Sequence, residues 1–514
     1  MVFAIAILLP LSSIFFSFAD EPGSGWNYIF DSLIYDYSYN TLILAVGVSV
    51  FALFFSVLPA WFVANYKFPL SGVFRWAMVL PLSIPTYIIA FIYGDVFSFG
   101  GEFYSIFYSL FGLEISTIYF DIFKIYYLIP ILASVLYPYV YLTALDSFEN
   151  GNRNFIESAK VLGKGNVTIF KKVALPLSRP AIASGLFLVN MELLNDYGAM
   201  DYFGVQTFTT GVFRTWFGMN DLPTALRLAL ILFTIAFVFI YIEKLFRKRA
   251  KYYEEGNSTS GPKVRVSGAK KWLMLTVCLV PVLIGFAIPI MKLVYNAIDN
   301  ISKIDIANYF TAVGNTATLS VMTAITVVVV SVSIVYSERR NKFPFVQKLL
   351  SLATVGYAIP GAIIAVSMLN FLSGINDSLG LFAFGSVFVL VYAYNIRFMA
   401  TGYSPIKSIS DKNGTNSYES AKLMGYSDFK TFTKVEWNAI QPAVLTGLLV
   451  TFVEVLKELP LTLILRPFDY DTVATIAYQY AKNEMVKEAS IYSLTIVIIS
   501  MLPIFLLVKS KNKV

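Results

Sequence analysis

Long apolar runs with few charged residues dominate the sequence. A membrane-crossing helix needs about 20 apolar residues, and only helices or closed barrels satisfy the backbone in lipid. The runs are continuous rather than alternating, which excludes a barrel. We therefore predict an all-α integral membrane protein with about twelve transmembrane helices, at 2–19, 37–66, 76–94, 125–145, 180–200, 228–242, 272–291, 311–337, 349–376, 378–396, 437–458 and 489–508.

The composition supports a membrane protein and excludes several chemistries. Of the 514 residues, 57% are hydrophobic and 14% charged, whereas a soluble domain has about 25% charged residues. The chain has no His and one Cys, Cys278, so His-based metal sites, Ser-His-Asp triads and disulfides within the chain are excluded. The net charge of +7 indicates basic cytoplasmic loops rather than nucleic-acid binding.

The distribution of Lys and Arg predicts the orientation. The loops 148–181, 244–271 and 338–348 are rich in basic residues, whereas 20–36 has four acidic residues and no basic one. By the positive-inside rule, we expect both termini in the cytoplasm of a multi-pass protein of the cell (plasma or inner) membrane. Residues 1–19 are expected to remain as a helix, the alternative being a cleaved signal peptide.

The chain contains an internal repeat. Asn40-Thr41 matches Asn315-Thr316, and Lys67-Phe68-Pro69 matches Lys342-Phe343-Pro344, both at an offset of 275. From Glu157 to Gly185 the offset becomes 262, with 11 of 29 positions identical. The extra residues of the first half are assigned to the outer loop 94–123, with an amphipathic helix at 103–120.

The repeat predicts two fused halves of six helices each. The first half is 1–246 with a loop at 148–181, 247–271 is a cytoplasmic linker, and the second half is 272–514 with a loop at 405–438. Because six is an even number of spans, the halves have the same orientation, as in a parallel repeat.

The loop that occurs twice has the most informative spacing. Glu157, Ser158 and Ala159 are followed by Gly163, and Glu419, Ser420 and Ala421 are followed by Gly425. Small residues permit close packing, Gly suits a helix C-terminus, and Pro176 is expected to limit a second short helix. The pattern predicts a helix-turn-helix that docks on a cytoplasmic partner; a basic tether to lipid headgroups is the alternative.

These loops resemble the EAA loop of binding-protein-dependent ABC importer permeases. The second loop departs from the family pattern at Trp437-Asn438, where the family has Leu-Pro. The resemblance implies that both loops couple to two copies of a cytoplasmic ABC ATPase and that a substrate-binding protein delivers the cargo. The only Gly-Lys pair, Gly163-Lys164, is followed by Gly165, so the chain has no P-loop. We therefore expect that the chain is not an enzyme and binds no cofactor, and that a separate ATPase subunit uses ATP and Mg.

Two segments, Phe203–Phe217 and Lys457–Asp469, sharpen the resemblance to the ferric-iron permeases. Thiamine permeases share the fused layout, whereas those for spermidine, sulfate and molybdate are more distant. We expect transport of ferric iron by alternating access. Thiamine or a polyamine is the alternative cargo, and an ion-coupled secondary transporter or a membrane-embedded enzyme are the competing classes.

Four acidic residues within predicted spans are candidates for the translocation path. Glu192 and Asp196 align with Glu454 and Glu458, and the two acids of each pair share one helix face. Such acids usually face a bundle interior or an aqueous path, and carboxylates suit hard cations. A structural ion pair, for instance with Lys457, is the equally weighted alternative, and no metal site is firmly assigned. Arg214 and Arg466, in outer loops, are interpreted as solvated charges or contacts for the binding protein.

Overall fold

The computed structural model describes residues 2–16, 21–112, 116–151, 153–248, 263–340, 356–357, 359–379, 385–412 and 416–511, most of which are helical. Up to the polar stretch, the elements are α1 (Val2–Phe16), α2 (Trp26–Ser32), α3 (Ile34–Asn65), β1 (Tyr66–Lys67), α4 (Ser71–Ala77), α5 (Thr86–Val96), α6 (Glu102–Phe111), α7 (Thr117–Asp146), α8 (Arg153–Val161), α9 (Asn166–Ile169), α10 (Leu175–Asn195), α11 (Gly198–Tyr202), α12 (Phe208–Phe213) and α13 (Leu222–Lys248).

After the polar stretch, the chain repeats much of this order. The elements are β2 (Val264–Arg265), α14 (Ala269–Val282), α15 (Ile288–Asn300), α16 (Ile306–Arg340), α17 (Gly361–Leu379), α18 (Val387–Lys412), α19 (Asn416–Leu423), α20 (Asp428–Thr431), α21 (Trp437–Lys457), α22 (Pro460–Leu465), α23 (Val473–Lys482) and α24 (Val486–Lys511). The division at 247–271 stays a prediction.

The expected twelve spans are only partly confirmed. Within the described residues, eight helices are long and apolar enough to cross a membrane, and one further pair is bent by 87°. The runs 2–19 and 349–376 contain shorter apolar helices, Ile5–Phe15 and Gly361–Gly374. The protein is therefore a multi-pass membrane protein in which some crossing segments are interrupted.

The interruption of the third predicted span has a clear cause. We expected one helix over 76–94, but a 3-10 turn ends at Ser83 and α5 begins at Thr86. Pro85 disfavours the helical conformation of the preceding residue, and Ile84 is extended at φ −97° and ψ 114°. Pro360 occupies the equivalent position in the second half, at the same offset of 275, immediately before α17.

The amphipathic helix expected at 103–120 is shorter than predicted. Helix α6 ends at Phe111, where Gly112 adopts a left-handed conformation at φ +64°. Left-handed glycine is a common helix terminator. Residues 113–115 lie outside the described part, and α7 begins at Thr117.

The two repeats exchange their first helices. Helix α1 packs against α17, where the Ser13 hydroxyl donates to the Ser367 carbonyl at 2.9 Å. The turn between α14 and α15 packs on the first half, where the Tyr93 hydroxyl donates to the Ile284 carbonyl at 2.7 Å. The halves therefore interlock, and α1 has specific packing partners in the second half.

The matching Asn-Thr pairs perform the same task in both halves. Asn40 donates to the Gln206 carbonyl at 2.8 Å, and Asn315 donates to the Asp471 carbonyl at 3.0 Å. The hydroxyls of Thr41 and Thr316 accept the first backbone N–H groups of α12 and α23. Both short helices also begin with a Thr-Thr capping box, which satisfies helix N–H groups that lack intrahelical partners. The sequence repeat is therefore also a repeat of hydrogen bonds.

The linker returns to the first half through a short parallel strand pair. β2 pairs with β1, with Tyr66 opposite Val264. Lys263 donates to the Val63 carbonyl at 2.6 Å and lies 3.5 Å from the Glu149 carboxylate. The last residues of the predicted linker thus bind the base of the first loop.

Two glycines that the repeat aligns with each other make tight helix contacts. A Cβ added at Gly185 would lie 2.6 Å from the Val140 Cα, and one at Gly447 would lie 3.2 Å from the Gly402 Cα. Small residues let helix backbones approach closely in membranes.

We predict that Gly185→Ala destabilises the protein more than Gly447→Ala. The added methyl at 185 meets backbone that cannot rotate away, which corresponds to overpacking of about 1–3 kcal/mol. The apparent melting temperatures of the two purified variants in detergent measure the difference. Equal melting temperatures would show that the close approach of α7 and α10 at Gly185 does not limit the stability of the protein.

Candidate functional site

Both repeated loops form the expected helix-turn-helix. In the first, α8 ends before Gly163 at φ +71°, and in the second, α19 ends before Gly425 at φ +81°. Each turn has the same two hydrogen bonds, which run from Gly163 N to Lys160 O and from Lys164 N to Ala159 O in the first loop and between the aligned residues in the second. This is a Schellman motif, which requires a left-handed residue that glycine adopts without strain.

The exit from each loop differs from the prediction. We expected Pro176 to limit the second short helix, but α9 continues into α10 through a π-helical turn at Phe170–Ala174. Pro176 is the second residue of α10, directly after this π turn, and the helix does not end there. The second loop has the equivalent π turn, Phe432–Glu436. The Trp437-Asn438 departure therefore leaves the shape of the exit unchanged.

The small residues of the motif have different environments. Ala159 and Ala421 are buried, whereas Ser158 and Ser420 are exposed. Ser158 donates to the Asn154 carbonyl at 2.8 Å within its own helix. Only the alanines therefore serve the close packing that we expected of both positions. Glu157 is half-buried, whereas Glu419 is exposed.

Each loop presents an apolar tip. Leu162 is 76% exposed and its counterpart Met424 is 72% exposed. The pairs Val161 and Leu423, and Val167 and Phe429, are also exposed in both halves. Because the members of each pair are aligned by the repeat, the two tips have the same layout, and large exposed apolar patches usually mark interaction surfaces.

The bases of the loops are held by different ion pairs. In the first half, Arg75 forms two hydrogen bonds to Glu149, at 2.7 and 3.1 Å. In the second half, Arg339 and Arg340 both bind Glu436, at 3.0 and 3.1 Å. The repeat alignment does not reveal these pairs, because the interacting residues differ between the halves.

Asp428 at the start of α20 is the centre of a charged network on the second loop. Its carboxylate accepts hydrogen bonds from Lys422 at 2.7 Å and from the Tyr418 hydroxyl at 2.8 Å. The bond to Asp428 raises the pKa of the Lys422 amine above its ordinary value. Because the folded-state pKa is the higher one, this contribution to stability is present at neutral pH and is lost only as the pH rises through that value.

Two of the four predicted path acids cap short helices. Asp196 Oδ1 accepts the Ala199 N–H at 3.0 Å, and Glu458 Oε1 accepts the Leu461 N–H at 2.9 Å. Glu458 also forms an ion pair with Arg397 at 3.1 Å, and both side chains are about 4% exposed. These contacts begin α11 and α22 at the points where α10 and α21 stop.

The other two acids lie where the halves meet. Glu192 accepts a hydrogen bond of 2.6 Å from the Tyr357 hydroxyl of the second half. Glu454 pairs with Lys457 at 3.5 Å, and Lys457 also donates to the Leu82 carbonyl of the first half at 3.3 Å. The predicted alternative, a structural pair with Lys457, is thus present in the molecule.

All four acids line one cavity, which has about 640 Å³ of space unoccupied by atoms when the part open to solvent is included. Its wall includes residues of both halves, among them Tyr87, Tyr139, Arg397 and Leu459. The sequence prediction of four path acids did not include Arg397, which is 3% exposed and donates to the Ile359 carbonyl at 3.1 Å. A single Arg at the end of the apolar run 378–396 was the available signal.

No group of three or more His, Cys, Asp and Glu within the described residues is arranged to hold a metal ion. The cavity acids are accompanied by two bases, Arg397 and Lys457. The site therefore has an excess of carboxylates without a closed coordination cage.

An ion pair joins the two halves just after the cavity residues of α10 and α11 in the sequence. Asp201 of α11 accepts hydrogen bonds from Tyr478 at 2.5 Å and Lys482 at 2.7 Å, both on α23 of the second half. If the capping residue Thr207 is aligned with Thr472, Tyr478 aligns with Phe213 and Lys482 aligns with Phe217. Among the described residues, this contact has no equivalent between α22 and α12.

The outer-loop arginines differ in environment. Arg466 pairs with Asp471 and donates to the Thr475 hydroxyl at 3.4 Å, so it is not the solvated charge that was one of the two expectations. Arg214 is exposed.

Comparisons with known proteins agree with the repeat. Residues 52–252 and 329–511 both match the family described as the binding-protein-dependent transport system inner membrane component. The Fe(3+)-transport system permease protein FbpB 2 of Haemophilus influenzae is 24% identical over 475 residues, which is 91% of this chain and 89% of that protein.

Relatives with another printed substrate match a smaller part. The sulfate transport system permease protein CysT of Salmonella typhimurium is 26% identical over 197 residues, which is 38% of this chain and 69% of that protein. The CysT protein of Escherichia coli is 27% identical over the same length.

The duplicated family match covers most of the chain, in agreement with the duplicated loops and hydrogen bonds. The chain belongs to the binding-protein-dependent transport system inner membrane components, the permeases of ABC transporters, with the family domain present in two fused copies.

Proposed function

We propose that this chain is the permease of an ATP-driven importer that moves ferric iron into the cytoplasm by alternating access. Two cytoplasmic ABC ATPase subunits bind its loops, and an extracytoplasmic binding protein delivers the iron. The observation that carries the proposal is the pair of loop tips, which repeat the same glycine turn and the same three exposed apolar positions.

The two loop tips fit a partner with two similar binding grooves. The residues of each tip flank a glycine turn, which is followed by a helix of 30 residues that includes the π turn, Asn166–Asn195 in the first half and Asp428–Lys457 in the second. Force applied to either tip is therefore transmitted along a continuous helix to the cavity acids at its far end. The basic residues of both loops support a cytoplasmic position.

The cargo assignment has two supports. The relative whose printed substrate is Fe(3+) matches 91% of the chain, whereas the sulfate permeases match 38%. The cavity has four carboxylates and two bases, and hard cations prefer oxygen ligands. Sulfate is the second candidate, because Arg397 and Lys457 provide cationic donors at the same cavity.

The first experiment is reconstitution of the chain with its ATPase and binding protein in liposomes. Ferric iron, sulfate, thiamine and spermidine are supplied separately, each with its own binding protein. Stimulated ATP hydrolysis and uptake only with ferric iron would support the proposal. Stimulation by another cargo would retain the mechanism and reject iron, and no binding of any ATPase would reject the importer.

We predict that valine at Gly163 and Gly425 uncouples the ATPase from the permease. Nothing lies within 4 Å of a Cβ at either position, so the substitution acts only through the left-handed backbone, at a cost of about 1–2 kcal/mol per site. The distorted turns should reduce binding-protein-stimulated ATP hydrolysis severalfold.

Gly165→Val is the matched control for this prediction. Gly165 lies in the same loop with equally open surroundings, but its φ is −68°, which valine adopts without strain. A loss of hydrolysis in Gly165→Val equal to that at Gly163 would mean that bulk rather than the turn conformation is responsible.

The contact of Asp201 with Tyr478 and Lys482 supports alternating access. It joins the halves beyond the cavity on the side away from the loops, so we propose that it closes the extracytoplasmic gate. Rocking of the halves into an outward-open state would separate α11 from α23 and break these hydrogen bonds.

We predict that Asp201→Asn with Lys482→Met increases ATP hydrolysis in the absence of binding protein. Loss of a partly exposed ion pair of at most about 1 kcal/mol favours the outward-open state by up to about fivefold. Lys487→Met is the control, because Lys487 pairs with Asp299 within the second half at 2.6 Å. An increase in both variants, or in neither, would reject the gate.

A further inference from the structure

Three buried polar atoms on the cavity wall have no hydrogen-bond partner. One of them, Arg397 Nε, lies 3.1 Å from a Glu458 oxygen and pairs with it by charge; the other two are oxygens. They are the Tyr87 hydroxyl, in a residue 4% exposed, and Asp196 Oδ2, in a residue 5% exposed. Both residues line the cavity, and the Tyr87 hydroxyl is within electrostatic range of the Glu458 carboxylate and, more weakly, of the Asp196 carboxylate. A buried unpaired polar atom costs about 1–3 kcal/mol, so two on one wall indicate an occupant that satisfies them.

The positions of these atoms are fixed by the surrounding backbone. Asp196 Oδ1 is held by the Ala199 N–H at 3.0 Å. The Thr86 hydroxyl interacts with the same carboxylate, but Oδ2 has no partner in hydrogen-bond geometry. A Cβ on Gly198 would lie 2.6 Å from the Tyr87 Cβ and 2.8 Å from the Leu459 side chain. Gly198 therefore permits the close contact that holds Tyr87 beside the boundary between the halves.

The free atoms define the chemistry of the occupant. An ionised carboxylate only accepts hydrogen bonds, so Asp196 Oδ2 requires a donor or a metal cation and repels an anion. Glu192 and Glu454 line the same cavity and add carboxylate oxygens, which hard cations prefer. The nearby bases Arg397 and Lys457 oppose tight binding, as release of a transported ion requires.

We infer that Asp196 and Tyr87 form a transit site that contacts a hard multivalent metal cation during transport, in a cavity that Glu192 and Glu454 also line. This inference rests on the proposed function and names the atoms that contact its cargo. Asp196 supplies the charged oxygen, and Tyr87 supplies a neutral oxygen whose proton points away from the cation.

The transit site occurs in only one half. The counterpart of Asp196 is Glu458, whose two oxygens are occupied by Arg397 at 3.1 Å and by the Leu461 N–H at 2.9 Å. The counterpart of Tyr87, at the offset of 275, is Ala362. The two aligned pairs of path acids that the sequence repeat suggested are therefore not equivalent, and the transit site is one-sided.

The test compares uptake with hydrolysis in proteoliposomes that contain the permease, its ATPase and the ferric-loaded binding protein. Asp196→Asn retains an oxygen for the Ala199 N–H and removes the charge. We expect at least a tenfold decrease in iron uptake for Asp196→Asn and about a threefold decrease for Tyr87→Phe. Stimulated ATP hydrolysis should remain within about twofold of wild type in both, which also shows that the variants fold and couple.

Two further variants separate a cargo contact from a structural role. Asp196→Glu should restore most of the uptake, because glutamate caps the equivalent helix at Glu458. Tyr93→Phe removes a hydroxyl on the same helix as Tyr87, but one that binds the Ile284 carbonyl and is not part of the cavity wall. It should leave uptake unchanged.

The outcomes distinguish the transit site from the proposed function. If wild type takes up iron and both Asp196→Asn and Tyr87→Phe retain normal uptake, only water occupies these atoms and the transit site is wrong, while the proposed function stands. If wild type takes up sulfate or no iron at all, the proposed cargo and the transit site are both wrong.

Discussion

The constraint on which this structure depends is that every backbone N–H and C=O group in a membrane must find a partner within the protein. The crossing segments that stop at Ile84, Asn195 and Lys457, and the helix α17 that begins at Gly361, expose helix ends, and side chains satisfy them. Asn195 accepts the Gly361 N–H at 2.7 Å, Asp196 and Glu458 begin the next short helices, and Lys457 binds the Leu82 carbonyl. The polar residues at the centre of the molecule are therefore first a consequence of interrupted helices. The cavity forms where these interruptions from the two halves meet.

The sequence repeat predicted the framework well because backbone requirements recur with it. Gly163 and Gly425 adopt the same left-handed turn, and Asn40 and Asn315 hold the same short helix in each half. Positions of this kind are set by local geometry, so equal spacing in the sequence indicates equal structure. The helix breaks were harder to predict, because a single Pro in an apolar run is also compatible with a kinked continuous span.

The candidate site was predicted less completely, because its function depends on which contacts differ between the halves. Equal spacing of Glu192, Asp196, Glu454 and Glu458 suggested four equivalent path residues, but spacing cannot show that Asp196 and Glu458 are used as caps. Nor does it show that Arg397 is buried against Glu458, since its counterpart in the first half, at the offset of 262, is Val135. Tertiary partners from other helices determined the role of each acid, and one sequence does not contain that information in its local pattern.

Broken symmetry has a physical consequence for transport. Four free carboxylates arranged around a two-fold axis would bind a trivalent cation strongly, and a carrier must release its cargo. In this protein, Arg397 neutralises Glu458, Lys457 lies beside Glu454, and Tyr357 binds Glu192, so three of the four acids are moderated by neighbours from the second half. The fourth, Asp196, retains a free oxygen on the side of the first half. The hydrogen bonds from Tyr357 to Glu192 and from Lys457 to the Leu82 carbonyl join opposite halves. Movement of one half against the other would therefore change the charge that faces the cavity. In the proposed alternating access, the motion that opens the path would therefore also weaken or strengthen the hold on a cation.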